Sequence, residues 1–70
     1  MSSNFAILVN GEQRQVSVGA TVEDLLRELS LSPARVAIER NLEILPRSQW
    51  AATQVAANDR YEIVQFVGGG

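Results

Sequence analysis

The stretch Asn4–Val18, NFAILVNGEQRQVSV, sets the start of the fold in this 70-residue chain. An apolar run bounded by a turn signal predicts a strand over Asn4–Val9. The dipeptide Asn10-Gly11 follows, and it favours a tight hairpin because both residues tolerate positive φ angles. Polar and apolar residues then alternate over Arg14–Val18, as in a strand with one buried face. The stretch therefore predicts a β-hairpin.

A helix is predicted directly after the hairpin. Gly19 breaks the alternation, and Thr21 can act as the N-cap because its hydroxyl oxygen can accept a backbone N–H of the first turn. Ser32-Pro33 is expected to end the helix, since proline disfavours helical geometry in the residue before it. The i, i+3, i+4, i+7 spacing of one buried stripe is followed by Val22, Leu25, Leu26 and Leu29.

The sequence of the second half of the chain predicts three further strands, two turns and one helical turn. In chain order these are a strand over Val36–Arg40, a turn at Asn41–Glu43, a short strand at Ile44-Leu45 limited by Pro46, a helical turn capped by Ser48 and carrying Trp50, a turn at Asn58-Asp59, and a strand over Arg60–Val67. The resulting order, β-β-α-β-β-β, predicts an α+β fold with one main helix packed on one face of a mixed sheet.

The topology of such a sheet places the first and last strands side by side and parallel in its middle. The hairpin joins the first two strands, and the helix supplies the right-handed crossover to the third. Alternation along the strands predicts which side chains join the helix stripe in one core: Phe5, Ile7, Val9, Val16, Val18, Val36, Ile38, Tyr61 and Ile63. We expect Trp50 to be a half-buried packing anchor, because aromatic side chains mostly serve packing.

The composition is that of one small folded domain, with 46% apolar residues, 20% charged residues and a net charge of −2. A negative balance without clustered arginines is the wrong sign for a nucleic-acid partner. No apolar run approaches the roughly 20 residues of a membrane span, so no membrane partner is expected. We expect a cytoplasmic protein.

Three reactive residue types are missing from the chain, which contains no cysteine, no histidine and no lysine. Disulfides, a thiol nucleophile, an imidazole base and a Schiff base are therefore excluded. We expect no catalytic residue, no bound cofactor and no metal site. The chain alone is not expected to be an enzyme.

The chemistry that the sequence offers lies in Gly68-Gly69-Gly70. Glycine has no Cβ, so this segment can enter a channel too narrow for a side chain. A carboxylate must be activated before acyl chemistry, and the chain has no nucleotide-binding motif. We therefore expect residues 1–67 to form one domain and residues 68–70 a flexible arm whose carboxyl is activated by a partner. A frayed terminus without function is the alternative.

Several short elements together form the pattern of a known family. They are Val9–Glu12, Thr21-Val22, Leu25-Leu26, Val36–Asn41, Glu43-Ile44, Pro46-Arg47 with Trp50, Glu62–Val64 and Phe66–Gly70. The Pro-Arg-x-x-Trp element and the Phe-Val-Gly-Gly-Gly ending are the most specific. On these elements the chain resembles the ubiquitin-like sulfur carriers with a β-grasp fold, in particular the sulfur-carrier family of thiamine biosynthesis.

The resemblance implies a function for the arm. A ThiF-like adenylyltransferase would use ATP and magnesium to convert the Gly70 carboxylate to an acyl-adenylate. Sulfur from a donor such as a cysteine desulfurase would replace AMP and leave a thiocarboxylate on Gly70. A ThiG-like thiazole synthase would then receive the sulfur, with Gly68 and Gly69 forming the arm.

Three other functions stay open at this point. The small subunit of molybdopterin synthase has a similar fold, Gly-Gly end and chemistry, although the Pro46-Arg47-x-x-Trp50 element and Phe66-Val67 favour the thiamine family. A ubiquitin-like protein modifier would join its end to a lysine of a target. A plain interaction module would need no arm, so adenylation with and without Gly69-Gly70 separates it from the others.

Two turn residues depart from the family pattern. Leu42 stands where glycine is common, so we expect Asn41 to supply any positive φ angle there. Asn58 likewise stands in a turn that commonly contains glycine. Both turns are distant in sequence from the arm, so these departures concern local geometry.

A partner-binding surface is predicted from strand alternation. If Ile7 and Ile63 face the helix, then Leu8, Val64 and Phe66 face the opposite, open side of the sheet. Because the first and last strands are predicted to be parallel neighbours, we expect these three side chains and Ala6 to form one exposed apolar patch. The patch would lead to the arm. Exposed apolar patches often mark interfaces, whereas strand propensity alone is the alternative explanation.

Overall fold

The computed structural model describes residues 3–66. The helices and strands of this part are β1 (Asn4–Val9), β2 (Glu12–Ser17), α1 (Val22–Glu28), a 3₁₀ turn (Pro33–Arg35), β3 (Val36–Arg40), β4 (Glu43–Ile44), a second 3₁₀ turn (Arg47–Gln49) and β5 (Arg60–Gln65). The predicted α+β order is confirmed. Val67 and the predicted arm, Gly68–Gly70, lie outside the described residues.

The first hairpin forms as predicted. Asn10 and Gly11 have φ angles of 51° and 83°, the two positive values that a two-residue turn between twisted strands requires. The strand β2 runs over Glu12–Ser17, not Arg14–Val18. Val18 was wrongly predicted in the core: its side chain is 62% exposed, because the strand ends at Ser17 and the alternation ends with it.

The helix α1 begins with a capping box. The Thr21 hydroxyl accepts a hydrogen bond from the Asp24 backbone N–H, and the Asp24 carboxylate accepts one from the Thr21 N–H. The hydrogen bond from the Thr21 N–H to its carboxylate is the largest cause that lowers the pKa of Asp24 below its usual value. The predicted end at Ser32-Pro33 is wrong: the helix stops at Glu28, and Ser30 has a φ angle of 60°. Pro33 instead begins a 3₁₀ turn, where its missing N–H costs nothing.

The strand order is β2-β1-β5-β3-β4. The strands β1 and β5 are parallel, as predicted, and pair at Leu8↔Arg60 and Val9↔Tyr61. The other pairs are antiparallel.

The side chain of Asn10 extends the parallel pairing beyond the end of β1. Its Oδ1 accepts a hydrogen bond of 2.8 Å from the Ile63 N–H, and its Nδ2 donates one of 3.1 Å to the Ile63 carbonyl oxygen. One amide thus replaces the backbone groups that β1 no longer presents after it turns away.

Replacing Asn10 by glycine is expected to lower the free energy of unfolding by about 1–2 kcal/mol, because two hydrogen bonds are lost while the positive φ angle remains allowed. Urea denaturation measures this. Asn58→Gly is the matched control, since Asn58 also has a positive φ angle, 68°, and its side chain makes no hydrogen bond within residues 3–66. Equal losses in both variants would contradict the role of the Asn10 amide.

The core lies between the sheet and α1. Trp50 and Val55 belong to it although the alternation did not assign them there, and Trp50 is more deeply buried than predicted, 3% exposed. Its Nε1 donates to the Leu45 carbonyl oxygen at 2.9 Å. Ser48 lies inside the second 3₁₀ turn and does not cap it. The buried apolar residues are Ile7, Val9, Val16, Val22, Leu25, Leu26, Val36, Ile38, Trp50, Val55, Tyr61 and Ile63.

The β3–β4 turn differs from its prediction. Asn41 and Leu42 both have positive φ angles, 52° and 72°, so a leucine shares the left-handed conformation that Asn41 was expected to supply alone. The strand β4 accordingly starts at Glu43, one residue before the predicted Ile44. None of the helices between Ser3 and Phe66 is long and apolar enough to span a membrane.

Candidate functional site

The candidate site is the open side of the sheet where β5 approaches the predicted arm. Phe66, the last described residue, donates its N–H to the Arg35 carbonyl oxygen at 2.7 Å. This bond continues the pairing of β5 beside β3 after the strand ends at Gln65. The point from which the chain continues to its glycines is therefore fixed to the sheet.

An apolar groove lies on this open side. Val64 stands opposite Ala37, and these two residues line a groove of about 220 Å³ together with Ile38, Glu39, Ile44 and Glu62. Val64, Phe66 and Ile44 are 58%, 52% and 79% exposed. Exposed apolar side chains that lie together often mark an interface, and these precede the predicted arm.

The structure separates the residues that were predicted to form one patch. Leu8 pairs with Arg60, four residues before Val64, because β1 turns away at Asn10. Ala6 and Leu8 line a different hollow, with Gln13 and Asn58. The expectation that Leu8 lies beside Val64 and Phe66 is wrong. That each of the three contacts a partner stays a prediction.

Ala37 and Ile44 were missed at the sequence level as parts of this surface. The signal for Ala37 was present, because it alternates with the inward-facing Val36 and Ile38. Ile44 gave no such signal, since a two-residue strand is too short to show alternation.

A buried carboxylate fixes the start of β5. Asp59 is 5% exposed and accepts hydrogen bonds from the Ala56 N–H, the Tyr61 hydroxyl, the Arg40 Nε and the Asn41 Nδ2, at 2.9 to 3.2 Å. The Arg40 contact is also an ion pair. The group joins the end of β3, the loop before β5 and β5 itself.

The pKa values of Asp59 and Tyr61 are shifted in opposite directions. Burial by itself raises the pKa of Asp59, but the hydrogen bonds from Ala56, Tyr61, Asn41 and Arg40 outweigh it and lower the pKa below its usual value. Burial, with the nearby Asp59 carboxylate, raises the pKa of Tyr61. Both shifts favour the observed state, a carboxylate that accepts from a neutral phenol.

Folding stability is therefore expected to fall at both pH extremes. The unfolded pKa of an aspartate is about 3.9, so the contribution of Asp59 is present above about pH 4 and is lost as the pH falls through the lower folded value. The Tyr61 contribution is present below about pH 10 and is lost as the pH rises further. To test the Asp59 contribution, the urea midpoints of the unaltered chain and of Asp59→Asn are measured across the acid pH range. Asp59→Asn should show a shallower acid loss; an identical slope would contradict the assignment.

Within residues 3–66, no group of three or more histidine, cysteine, aspartate or glutamate side chains is placed to hold a metal ion.

Comparison with known proteins decides the family. The family model described as the ThiS family matches residues 7–70, which include most of the domain and the three terminal glycines. The chain belongs to the ThiS family.

Individual ThiS relatives agree with this assignment. The sulfur carrier protein ThiS of Escherichia coli is 38% identical over 64 residues, covering 91% of this chain and 97% of the relative. The crystal structure of ThiS from Geobacter metallireducens superposes with a TM-score of 0.75 at 37% identity, covering 94% of this chain and all of that one. A designed protein based on ubiquitin, 22% identical with a TM-score of 0.57, shares the fold.

A further relative is a larger protein. The thiazole synthase of Paramagnetospirillum magneticum is 50% identical over 64 residues, which cover 91% of this chain. The chain spans 20% of the length of that thiazole synthase, and the same share of the one from Magnetococcus marinus.

Proposed function

We propose that this chain carries sulfur for the synthesis of the thiamine thiazole ring. The observation that supports the proposal is the extent of the ThiS family match, which continues through Gly70. The proposal places the reactive group at the Gly70 carboxyl, on an arm of Gly68 and Gly69, and places no catalytic residue in the chain. In this proposal the chain is a cytoplasmic substrate and sulfur donor for other enzymes.

The proposed chemistry proceeds in three steps. A partner adenylyltransferase, holding ATP and magnesium, joins the Gly70 carboxylate to the α-phosphorus of ATP, and pyrophosphate leaves. A persulfide sulfur supplied by a donor such as a cysteine desulfurase then attacks the acyl carbon, and AMP leaves. A thiol finally cleaves the sulfur–sulfur bond, which leaves a thiocarboxylate on Gly70 and a disulfide on the donor side.

The open side of the sheet is proposed as the docking surface for these partners. Val64 and Phe66 are exposed and directly precede the arm, so contacts there would aim it into a partner's active site. Leu8 is retained as a separate contact beside Arg60.

Replacing Phe66 by aspartate is expected to weaken binding to the adenylyltransferase or to the thiazole synthase by about 2 kcal/mol or more, the effect of losing an aromatic interface anchor. Folding stability should change little, because the Phe66 side chain is exposed. Leu42→Asp is the matched control: Leu42 is also exposed, but it lies in the β3–β4 turn at the other end of the sheet. Unchanged affinity of Phe66→Asp for both partners, or unfolding of the variant, would contradict this role.

Intact-mass measurement tests the proposed function. The chain is incubated with ATP, magnesium, an adenylyltransferase of the thiamine pathway and a persulfide donor. The expected product gains the mass difference between one sulfur and one oxygen atom, and omission of ATP should prevent the gain. A chain that binds the adenylyltransferase but never gains this mass would contradict the proposal.

A further inference from the structure

Two glutamates face each other on the open side of the sheet. Glu39 of β3 is the register partner of Glu62 of β5, and both are exposed. Side chains directly opposite in an antiparallel pair have Cβ atoms about 4.5–5.5 Å apart, and like charges there destabilise the pair. In the part of the chain that the structure describes, neither carboxylate forms an ion pair. The domain thus places two like charges on opposed positions of the sheet, and within its described residues neither carboxylate has an ion-pair partner.

The same glutamates line the apolar groove. Their neighbours in it are Ala37, Ile44 and Val64. Apolar walls beside two carboxylates suit a side chain with an apolar stem and a cationic end. Arginine fits this description better than lysine, because its planar guanidinium can donate hydrogen bonds to two carboxylates at once.

We propose that an arginine of a thiazole synthase seats in this groove, with its guanidinium between Glu39 and Glu62 and its stem against Ile44 and Val64. This inference rests on the proposed function, since it assigns the surface that receives the sulfur acceptor. The occupant is chosen because the matching region of the Paramagnetospirillum magneticum relative is part of a thiazole synthase. In that relative the matching region and the rest of the thiazole synthase share one chain, which holds the two at a high effective concentration for docking.

The position of the groove gives the contact a consequence for the arm. Val64, one wall of the groove, lies two residues before Phe66, whose N–H is bonded to Arg35. An arginine held at Glu39 and Glu62 therefore fixes the synthase close to the point from which the chain continues to Gly70. Charge repulsion that is unfavourable in the free domain becomes attraction in the complex, which favours a partner that presents a cation and disfavours one that presents an anion.

The double variant Glu39→Gln, Glu62→Gln tests the contact, because it removes both charges with little change in shape. Its affinity for a purified thiazole synthase is expected to fall at least about tenfold, with a weaker dependence on salt concentration. Its unfolding midpoint in urea should equal or exceed that of the unaltered chain, since a repulsion has been removed. Ile44→Ala should also weaken binding, because the arginine stem loses a wall.

The control is Glu23→Gln, Glu28→Gln, which changes the net charge equally on the helix α1 and is expected to bind like the unaltered chain. Equal weakening in the two double variants, unchanged affinity of Glu39→Gln, Glu62→Gln, or a loss of its stability would overturn the inference.

Sulfur gain by the unaltered chain is measured in parallel. If that chain gains and delivers sulfur while the Glu39, Glu62 variant binds normally, this inference fails and the proposed function stands; if it never gains sulfur, the proposed function fails.

Discussion

A chain whose Gly70 carboxyl is converted to an amide is expected to lose adenylation completely. The amide has no carboxylate oxygen to attack the α-phosphorus of ATP, and the proposed function assigns this step to the Gly70 carboxyl and not to a side-chain carboxylate. A synthetic chain of 70 residues allows the amide and the free acid to be made by the same route. Release of pyrophosphate with the adenylyltransferase measures the reaction.

The amide keeps every residue of the described domain, so its thermal unfolding and its binding to the adenylyltransferase serve as controls. Both should equal those of the free acid. Pyrophosphate release from the amide at the rate of the acid would place the reactive group elsewhere in the chain.

Replacing Asp59 by alanine is expected to lower the free energy of unfolding by about 3–5 kcal/mol, because the Arg40 guanidinium and the Tyr61 hydroxyl lose a buried partner. A domain of this size buries only about 60% of its unfolded surface and has little stability to lose. We therefore expect the variant to be largely unfolded at physiological temperature, as circular dichroism and urea denaturation would show.

Asp24→Ala is the matched control for Asp59→Ala. It also removes an aspartate that accepts hydrogen bonds, but from the more exposed start of α1, where loss of a capping contact costs about 1 kcal/mol. If the two variants lose similar free energies of unfolding, the burial of Asp59 does not determine the size of the loss.

The elements that could be predicted from the sequence are those specified by neighbouring residues. Asn10-Gly11 specifies its own turn, and Thr21 specifies the start of the helix that follows it. The parallel pairing of the first and last strands followed from the order of the elements and the handedness of the helix crossover. These signals need no knowledge of distant contacts.

The features of the candidate site that escaped prediction depend on residues far apart in the chain. The two hydrogen bonds between the Asn10 side chain and the Ile63 backbone lie where β1 leaves β5, and the Leu8↔Arg60 register separates Leu8 from Val64. The bonds of Asp59 with Arg40 and Asn41 likewise span 19 and 18 residues. Alternation predicts the face on which a side chain lies, but not its position along a neighbouring strand.

Sulfur delivery tests the central claim most directly. The chain is loaded with sulfur as a thiocarboxylate, and one half receives a thiazole synthase with its other substrates, while the other half receives the large subunit of molybdopterin synthase with its substrate. Intact mass follows the return of the thiocarboxylate to the carboxylate. We predict that the return occurs with the thiazole synthase and not with the molybdopterin synthase subunit. Return with the molybdopterin synthase subunit alone would contradict the proposed function.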